Sequence, residues 1–296
     1  MRYLGIDIGG TEIKHGLYDE LGNSLVHDPR PIKSVRDNFE EILDIIDTIV
    51  SKYSDLDGIG LSIPGAVNTD SGIIIEGGAI PTLSNKYLGE IIEQRTGIRT
   101  VLENDANCAT LAEHWTGNGV GSSNLVCITI GSGIGGGIII NNQLYHGSNF
   151  MAGEFGYMIT KEFSNYTDYE IMSENSATEA LVNKVSKLFG ISDGEFSGRN
   201  VFELLSSENE PLLQIYDEWI RCLSTGIYNI AFSIDPDTIL LGGGVSASSK
   251  LIQDVKSALQ KMTPYYKIWN IDVCKHHNDA GKIGAAYYCM KTEEKQ

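Results

Sequence analysis

Three things are scarce in this 296-residue chain, and each scarcity excludes a class of protein. Paired cysteines are missing: Cys108, Cys127, Cys222, Cys274 and Cys289 are odd in number, widely spaced and without a CxxC. In mostly apolar surroundings they read as buried, reduced thiols rather than disulfides or metal ligands. Positive charge is short, with 22 Lys and Arg against 39 Asp and Glu and a net charge of −17. Such a surface repels a phosphate backbone and an anionic membrane over most of its area. Long apolar runs are missing too; stretches such as 72–75 and 138–140 are far too short to span a bilayer. The first strand starts almost at Met1, which leaves no room for a signal peptide. A cytoplasmic protein without nucleic-acid or membrane partners is the expectation.

Glycine is plentiful, with 33 residues, and its placement carries the most information. LGIDIGGTEIKHG (Leu4 to Gly16) and VCITIGSGIGGGI (Val126 to Ile138) are each a short apolar strand that runs into a glycine turn. Such turns can bring backbone N–H groups onto a phosphate. A third glycine run follows Leu241 at Gly242-Gly243-Gly244. Laying Asp7-Ile8-Gly9-Gly10-Thr11 on Thr129-Ile130-Gly131-Ser132-Gly133 suggests an approximate duplication that grips a nucleotide between its halves. Chance likeness between two glycine-turn hairpins is the competing explanation. The length suits two domains.

The periodicities predict an α/β protein. In the first half they give strands at the N-terminus, over Ile13–Tyr18 and over Asp57–Ser62 before Pro64-Gly65, and a short strand Thr100–Leu102. Helices are expected from Asp37, as N-cap, to Tyr53, over Tyr87–Thr96 closed by Gly97, and over Asp105–Trp115. Gly117, Gly119 and Gly121 mark a loop and a candidate domain boundary. The second half reads as strands Leu125–Ile130, Gly137–Ile140 and Gln143–Tyr145, then mostly helix from Glu174 to Ser233. Strand Thr238–Leu241, helix Ser248–Met262, strand Ile268–Val273 and a helix from Ala280-Gly281 close the chain.

Three places carry candidate chemistry. Asp7 ends its strand beside the first glycine turn, where a carboxylate can hold Mg²⁺ through water; Thr11 adds a hydroxyl and Lys14 a positive charge. Glu103-Asn104-Asp105 stands at a strand-to-helix junction. There a carboxylate can accept a proton from a substrate hydroxyl while Asn104 binds a neighbouring one. Ordinary N-capping explains the same residues equally simply. Glu154, set among small residues, suits a carboxylate that accepts from sugar hydroxyls, or a loop glutamate facing water.

With these motifs in order and in spacing, the chain resembles the ROK family of sugar kinases and repressors, within the actin-like ATPase superfamily. The likeness covers nearly the whole chain. It rests on DIGGT at Asp7–Thr11, ENDAN at Glu103–Asn107, the glycine motif from Ile130 to Gly156, LLGGGVS at Leu240–Ser246 and DAGKIGAA at Asp279–Ala286. It implies a two-domain, ribonuclease H-like fold with a duplicated core. The domains are residues 1–116, with the helix of about 283–296 packing back on them, and residues 117–282. It also implies ATP and Mg²⁺ as cofactors, a small-molecule sugar as partner substrate, and a homodimer. Asp105 is then the general base toward a sugar 6-hydroxyl, and Gly65, Asn104 and Glu154 bind the sugar. Asp7, Gly9, Gly10, Thr11, Gly131, Gly133, Gly243 and Gly244 serve the nucleotide. A repressor would need a winged helix ahead of the first strand, where only Met1–Leu4 stand; a silent sugar sensor has no reason to keep Asp105.

The chain departs from the family at one point. Family members follow the glycine motif with Gly-His and a cysteine run that together bind structural zinc. Here Gly156-Tyr157 follows, and no cysteine lies between Cys127 and Cys222. No zinc site is expected, with packing from Tyr157, Tyr166 and Tyr169 bracing the loop instead. Similarity in AGEFGYM (Ala152–Met158) and at Gly78–Pro81 points to the β-glucoside kinase branch, with cellobiose-like acceptors. N-acetylmannosamine kinase and glucokinase are the alternatives.

Overall fold

Two five-stranded mixed sheets repeat one plan in the computed structural model, which describes residues 1–26, 29–161, 168–192 and 194–293. Unit 1 comprises Met1–Val120, Leu144–Ala152 and the chain from Asn278 onward; unit 2 comprises Gly121–Gln143 and Gly153–His277. Unit 1 contains β1 (Tyr3–Ile8), β2 (Glu12–Tyr18), β3 (Ile32–Lys33), α1 (Phe39–Val50), β4 (Gly58–Ile63), β5 (Ala66–Asn68), β6 (Ile73–Glu76), α2 (Leu88–Thr96), β7 (Thr100–Asn104) and α3 (Asp105–Thr116). Unit 2 contains β8 (Leu125–Ile130), β9 (Ile134–Ile140), α4 (Met172–Ser176), α5 (Thr178–Phe189), α6 (Gly198–Leu204), α7 (Glu210–Ile234), β11 (Thr238–Gly242), α8 (Ser249–Met262) and β12 (Asn270–Val273), and the two-residue strand β10 (Gln143–Leu144) straddles the boundary. The closing helix, α9 (Ala280–Glu293), belongs to unit 1.

The strand order is β3-β2-β1-β4-β7 in one sheet and β10-β9-β8-β11-β12 in the other. In both, the leading strand is antiparallel to its hairpin partner and parallel to the strand on its other side. The outer pairs β4–β7 and β11–β12 are parallel as well. The duplication is therefore structural: the turns after Asp7 and Thr129 occupy the same place in their sheets. A separate hairpin, β5–β6, had no counterpart in the sequence reading.

Parallel inner strands are covered on both faces and so read as continuous apolar runs; every residue of β4 is buried. The helix α1 turns Ile42, Leu43, Ile46, Ile49 and Val50 inward, burying them in the core of unit 1. Each such side chain contributes roughly 1.5–3 kcal/mol. Its N-cap is Asn38, not Asp37: Asn38 has extended backbone and its side chain accepts from the Glu41 N–H at 3.3 Å. Asp37 lies one residue too early to reach the orphan N–H groups of the first turn. Three strand edges also shift by two residues or more. The strand β7 continues to Asn104, β9 begins at Ile134, and β12 waits until Asn270 because Pro264–Ile268 coil into a 3₁₀ turn. In unit 2, α7 buries Trp219, whose indole N–H donates to the Ala177 carbonyl at 2.9 Å. All five cysteines are buried, and none is in a disulfide. Among the described residues no helix is long and apolar enough to cross a membrane.

The helix α9 lies on the unit 1 sheet at a separation that leaves no room for side chains beneath it. A Cβ at Gly5 would collide with the Lys282 carbonyl, and one at Gly60 with the Ala285 carbonyl. Where α9 meets α3, a Cβ at Gly284 would strike the Cys108 carbonyl. Backbone cannot swing aside as a side chain can, so Gly60→Ala must lift the helix. A stability loss of about 3 kcal/mol or more is expected on denaturant unfolding, at the upper end of the usual cost of overpacking.

Candidate active site

In unit 1, Asp7 stands at the end of β1 with its neighbours on all sides. It pairs in register with Lys14 on β2 and Ser62 on β4, and its Oδ1 accepts from the Ser62 hydroxyl at 2.6 Å. Gly281 in the first turn of α9 faces it so closely that a Cβ there would run into the carboxyl group. Burial raises the Asp7 carboxyl above the ordinary carboxylate range. The Ser62 hydrogen bond and the Lys14 and Lys282 charges pull it back, while Asp279 adds to the rise. The hairpin turn beyond is closed by Gly9 N–H donating to the Glu12 carbonyl at 3.0 Å. Thr11 is exposed at the turn, and its carbonyl accepts from Ser34 N–H at 2.9 Å. Arg36 reaches back to this turn, its Nε donating to the Gly10 carbonyl at 2.6 Å. No local pattern marks Arg36, because the contact joins segments far apart in the chain.

The β7–α3 junction combines the two readings of the sequence. Asn104 does cap α3: its Oδ1 accepts from Ala106 and Asn107 N–H at 2.9 and 3.0 Å. Its Nδ2 donates to the Gly65 carbonyl at 2.8 Å and to Asp105 Oδ1 at 3.2 Å. Gly65 has φ +91 and abuts the Glu76 carbonyl, so only glycine fits. Asp105 opens the helix with its side chain exposed and also accepts from Ala106 N–H at 2.8 Å. Gly65, Asn104 and Asp105 are thus brought together. Glu103, just before them, is 1% exposed and meets His146 at 2.6 Å, a partner that sequence spacing does not disclose.

Unit 2 carries the remaining candidates. Gly131 N–H closes its turn on the Gly133 carbonyl at 2.9 Å, and Thr178 N–H at the start of α5 donates to the Gly131 carbonyl at 2.9 Å. Gly243 has φ +91 and presses on the Ile130 carbonyl, which brings Gly244 alongside. Together with α5 and α6 these turns line a cleft of about 650 Å³, to which Gly131, Ser132, Glu179, Phe196, Arg199 and Gly244 contribute. No Cβ fills the turn: one built on Gly244 would meet nothing within 4 Å. Open backbone turns and a volume in the range of small-molecule pockets fit a nucleotide.

Glu154 is half-buried on a loop laid flat against β9. Gly153 with φ +88 approaches the Gly136 carbonyl, Gly156 abuts the Ile134 carbonyl, and Phe155 covers Gly136. Of the tyrosines expected to brace this loop, Tyr157 is 66% exposed and Tyr169 44% exposed, while Tyr166 lies outside the described residues. Backbone pairing does the bracing, with Met172 N–H donating to the Met158 carbonyl at 2.7 Å. Among the described residues no group of three or more His, Cys, Asp or Glu is placed to hold a metal. For Mg²⁺, the oxygen donors Asp7 and Ser62 suit an ion that keeps much of its water.

The ROK family profile matches residues 3–292. The chain belongs to the ROK family. It is 32% identical over 296 residues to a β-glucoside kinase of Listeria monocytogenes, covering 100% of this chain and 99% of that protein. A solved structure from the same species, described as an N-acetylmannosamine kinase, superposes with TM-score 0.91 at 32% identity over 99% of this chain and 100% of its own. A ROK family protein of Streptococcus pneumoniae TIGR4 in complex with sucrose gives TM-score 0.89 at 33% identity, with both chains fully covered.

The raised Asp7 has a consequence for stability in this ROK protein. A carboxyl whose folded pKa exceeds its unfolded one favours the native state at low pH, and that contribution is lost as pH rises through the folded value. Asp7→Asn is therefore expected to raise the unfolding midpoint at pH 7 to 8, and the gain should shrink toward pH 4 in thermal melts.

Proposed function

We propose that this ROK-family protein, an ATP-dependent sugar kinase, phosphorylates the 6-hydroxyl of β-glucosides such as cellobiose, with Asp105 as general base. The observation that carries the catalytic part is the β7–α3 junction. There one exposed carboxylate is fixed by its own helix N-terminus and by the Asn104 amide. Asp105 takes the proton from O6, O6 forms the new bond to the γ-phosphorus, and the bond to the β-phosphate oxygen breaks to release ADP. Asn104 and Gly65 bind the sugar beside it, and Glu154 accepts from further sugar hydroxyls. For the nucleotide, unit 1 offers Gly9, Gly10 and Thr11, and unit 2 offers Gly131, Gly133, Gly243 and Gly244. Asp7 would hold Mg²⁺ through water, and that ion would neutralise phosphate charge during transfer. The reading includes a ribonuclease H-like origin for the two sheets, a cytoplasmic homodimer and no zinc.

Two findings support a glycoside acceptor. A relative across the full chain is a β-glucoside kinase, and the Streptococcus pneumoniae relative holds sucrose, a disaccharide. Tyr157, where the resemblance expects a histidine, is exposed, which leaves that edge of the sugar unclaimed by a fixed ligand. N-acetylmannosamine is the competing acceptor, favoured by the description of the Listeria monocytogenes structure.

A panel of mono- and disaccharides with ATP and Mg²⁺ tests the acceptor. Cellobiose should give a higher kcat/KM than free glucose or N-acetylmannosamine, and the reverse order would refute the β-glucoside reading. Asp105→Asn should lower turnover by about two orders of magnitude with sugar binding largely kept. Near-normal turnover in that variant would remove Asp105 from the chemistry.

A further inference from the structure

The contact between Glu103 and His146 has no part in the reaction derived so far, yet its carboxylate end is buried in unit 1. Glu103 is 1% exposed, and its two carboxylate oxygens are both occupied. Oε1 accepts from the Asn104 backbone N–H at 2.8 Å and from Asn107 Nδ2 at 2.9 Å. Oε2 faces His146 Nε2 at 2.6 Å. Oε2 and the ring nitrogen share one hydrogen bond, while Oε1 is already taken by two other donors. The imidazole is itself held in place, with Phe150 and Tyr288 ring centroids 6.1 and 6.4 Å away.

We propose that His146 is a positioning residue for phosphoryl transfer: through Glu103 it sets the backbone turn that presents Asn104 and Asp105. Glu103 grips the amide of Asn104 directly, and Asn107 one turn along α3, so its carboxylate plane determines where the junction sits. A buried carboxylate missing one of its donors must rotate, draw in water or take up a proton, because an unsatisfied buried charge is costly. Any of these moves shifts Asn104 N–H and with it the first turn of α3. Displacement of a base by about 1 Å can cost on the order of a hundredfold in rate. This role rests on the reading of Asp105 as the base.

The test is a double-mutant cycle on the full chain, with kcat, both KM values and the melting temperature measured for each variant. His146→Ala is expected to lower kcat about tenfold or more with a smaller change in the KM for ATP. His146→Gln, whose amide can still donate to Glu103, should recover most of the loss. The double variant Glu103→Gln/His146→Ala should be no worse than Glu103→Gln alone, since His146 acts through Glu103, and a further loss in the double variant would overturn the proposal. The proposal is overturned if His146→Ala keeps kcat within twofold while melting earlier, or if His146→Gln is as impaired as the alanine. Asp105→Asn run alongside separates the two assignments. If it is inactive while His146→Ala is not impaired, only the positioning role fails. If it retains normal turnover, the base assignment fails and this proposal falls with it.

Discussion

Unit 1 depends on the approach of one helix to one sheet at backbone distance. The helix α9 sits where side chains at Gly5 and Gly60 would already be, and Gly284 lets it touch the backbone of α3 at Cys108. Three parts of the candidate site follow from that contact. Gly281 places the first turn of α9 against Asp7, Asn278 just ahead of the helix supplies a carbonyl to Lys14 at 3.2 Å, and α3 carries Asp105 at its start. A side chain at any of these glycines is more than a packing defect. It would displace a carboxylate of the candidate site or the helix that presents one.

Duplication provided the same hairpin twice, and the two copies have taken on different work. In unit 1 the strand before the turn ends with a buried carboxylate at Asp7, with Lys14 across the hairpin and Arg36 at the turn itself. In unit 2 the equivalent strand position is Thr129, a neutral residue, and the turn faces a cleft lined by α5 and α6. Charge sits on one copy and volume on the other. Both turns are closed by a backbone hydrogen bond from the matching glycine, but Gly9 N–H reaches Glu12 three residues on and Gly131 N–H reaches Gly133 two residues on, so the turns have diverged in backbone as well as side chains.

What the sequence disclosed follows the range of the interactions involved. Strand β8 was legible to the residue, as was the left-handed Gly97 that ends α2, because both are set by local pattern. The cap of α1 was misplaced by one residue, since Asp37 and Asn38 are equally good caps on composition and only the backbone decides between them. Asn104 and Asp105 could be named together because a motif places them side by side, and the structure keeps them adjacent at the β7–α3 junction. Arg36 and His146 could not be named, because each meets its partner from a segment remote in the chain. The segment Leu144–Ala152 was assigned with its sequence neighbours, yet in space it joins unit 1. Periodicity reports which face a residue shows; it carries no record of a loop that crosses to another unit.

The loop of Glu154 shows how a family feature can be lost without loss of order. Resemblance to ROK proteins implies a zinc-braced loop after the glycine motif, and here the ligands for it are absent together. In place of a metal the chain uses contact that only glycine permits. Gly153 and Gly156 let the loop backbone lie on the carbonyls of β9, Phe155 fills the space over Gly136, and Ser173 accepts from Ile134 N–H at 2.9 Å to tie α4 to the same strand. Each contact is modest, but together they fix the backbone on both sides of Glu154. Tyr157 is consequently released from any bracing duty and stands exposed. A position bound to zinc is chemically frozen, whereas an exposed tyrosine can change without unfolding the loop.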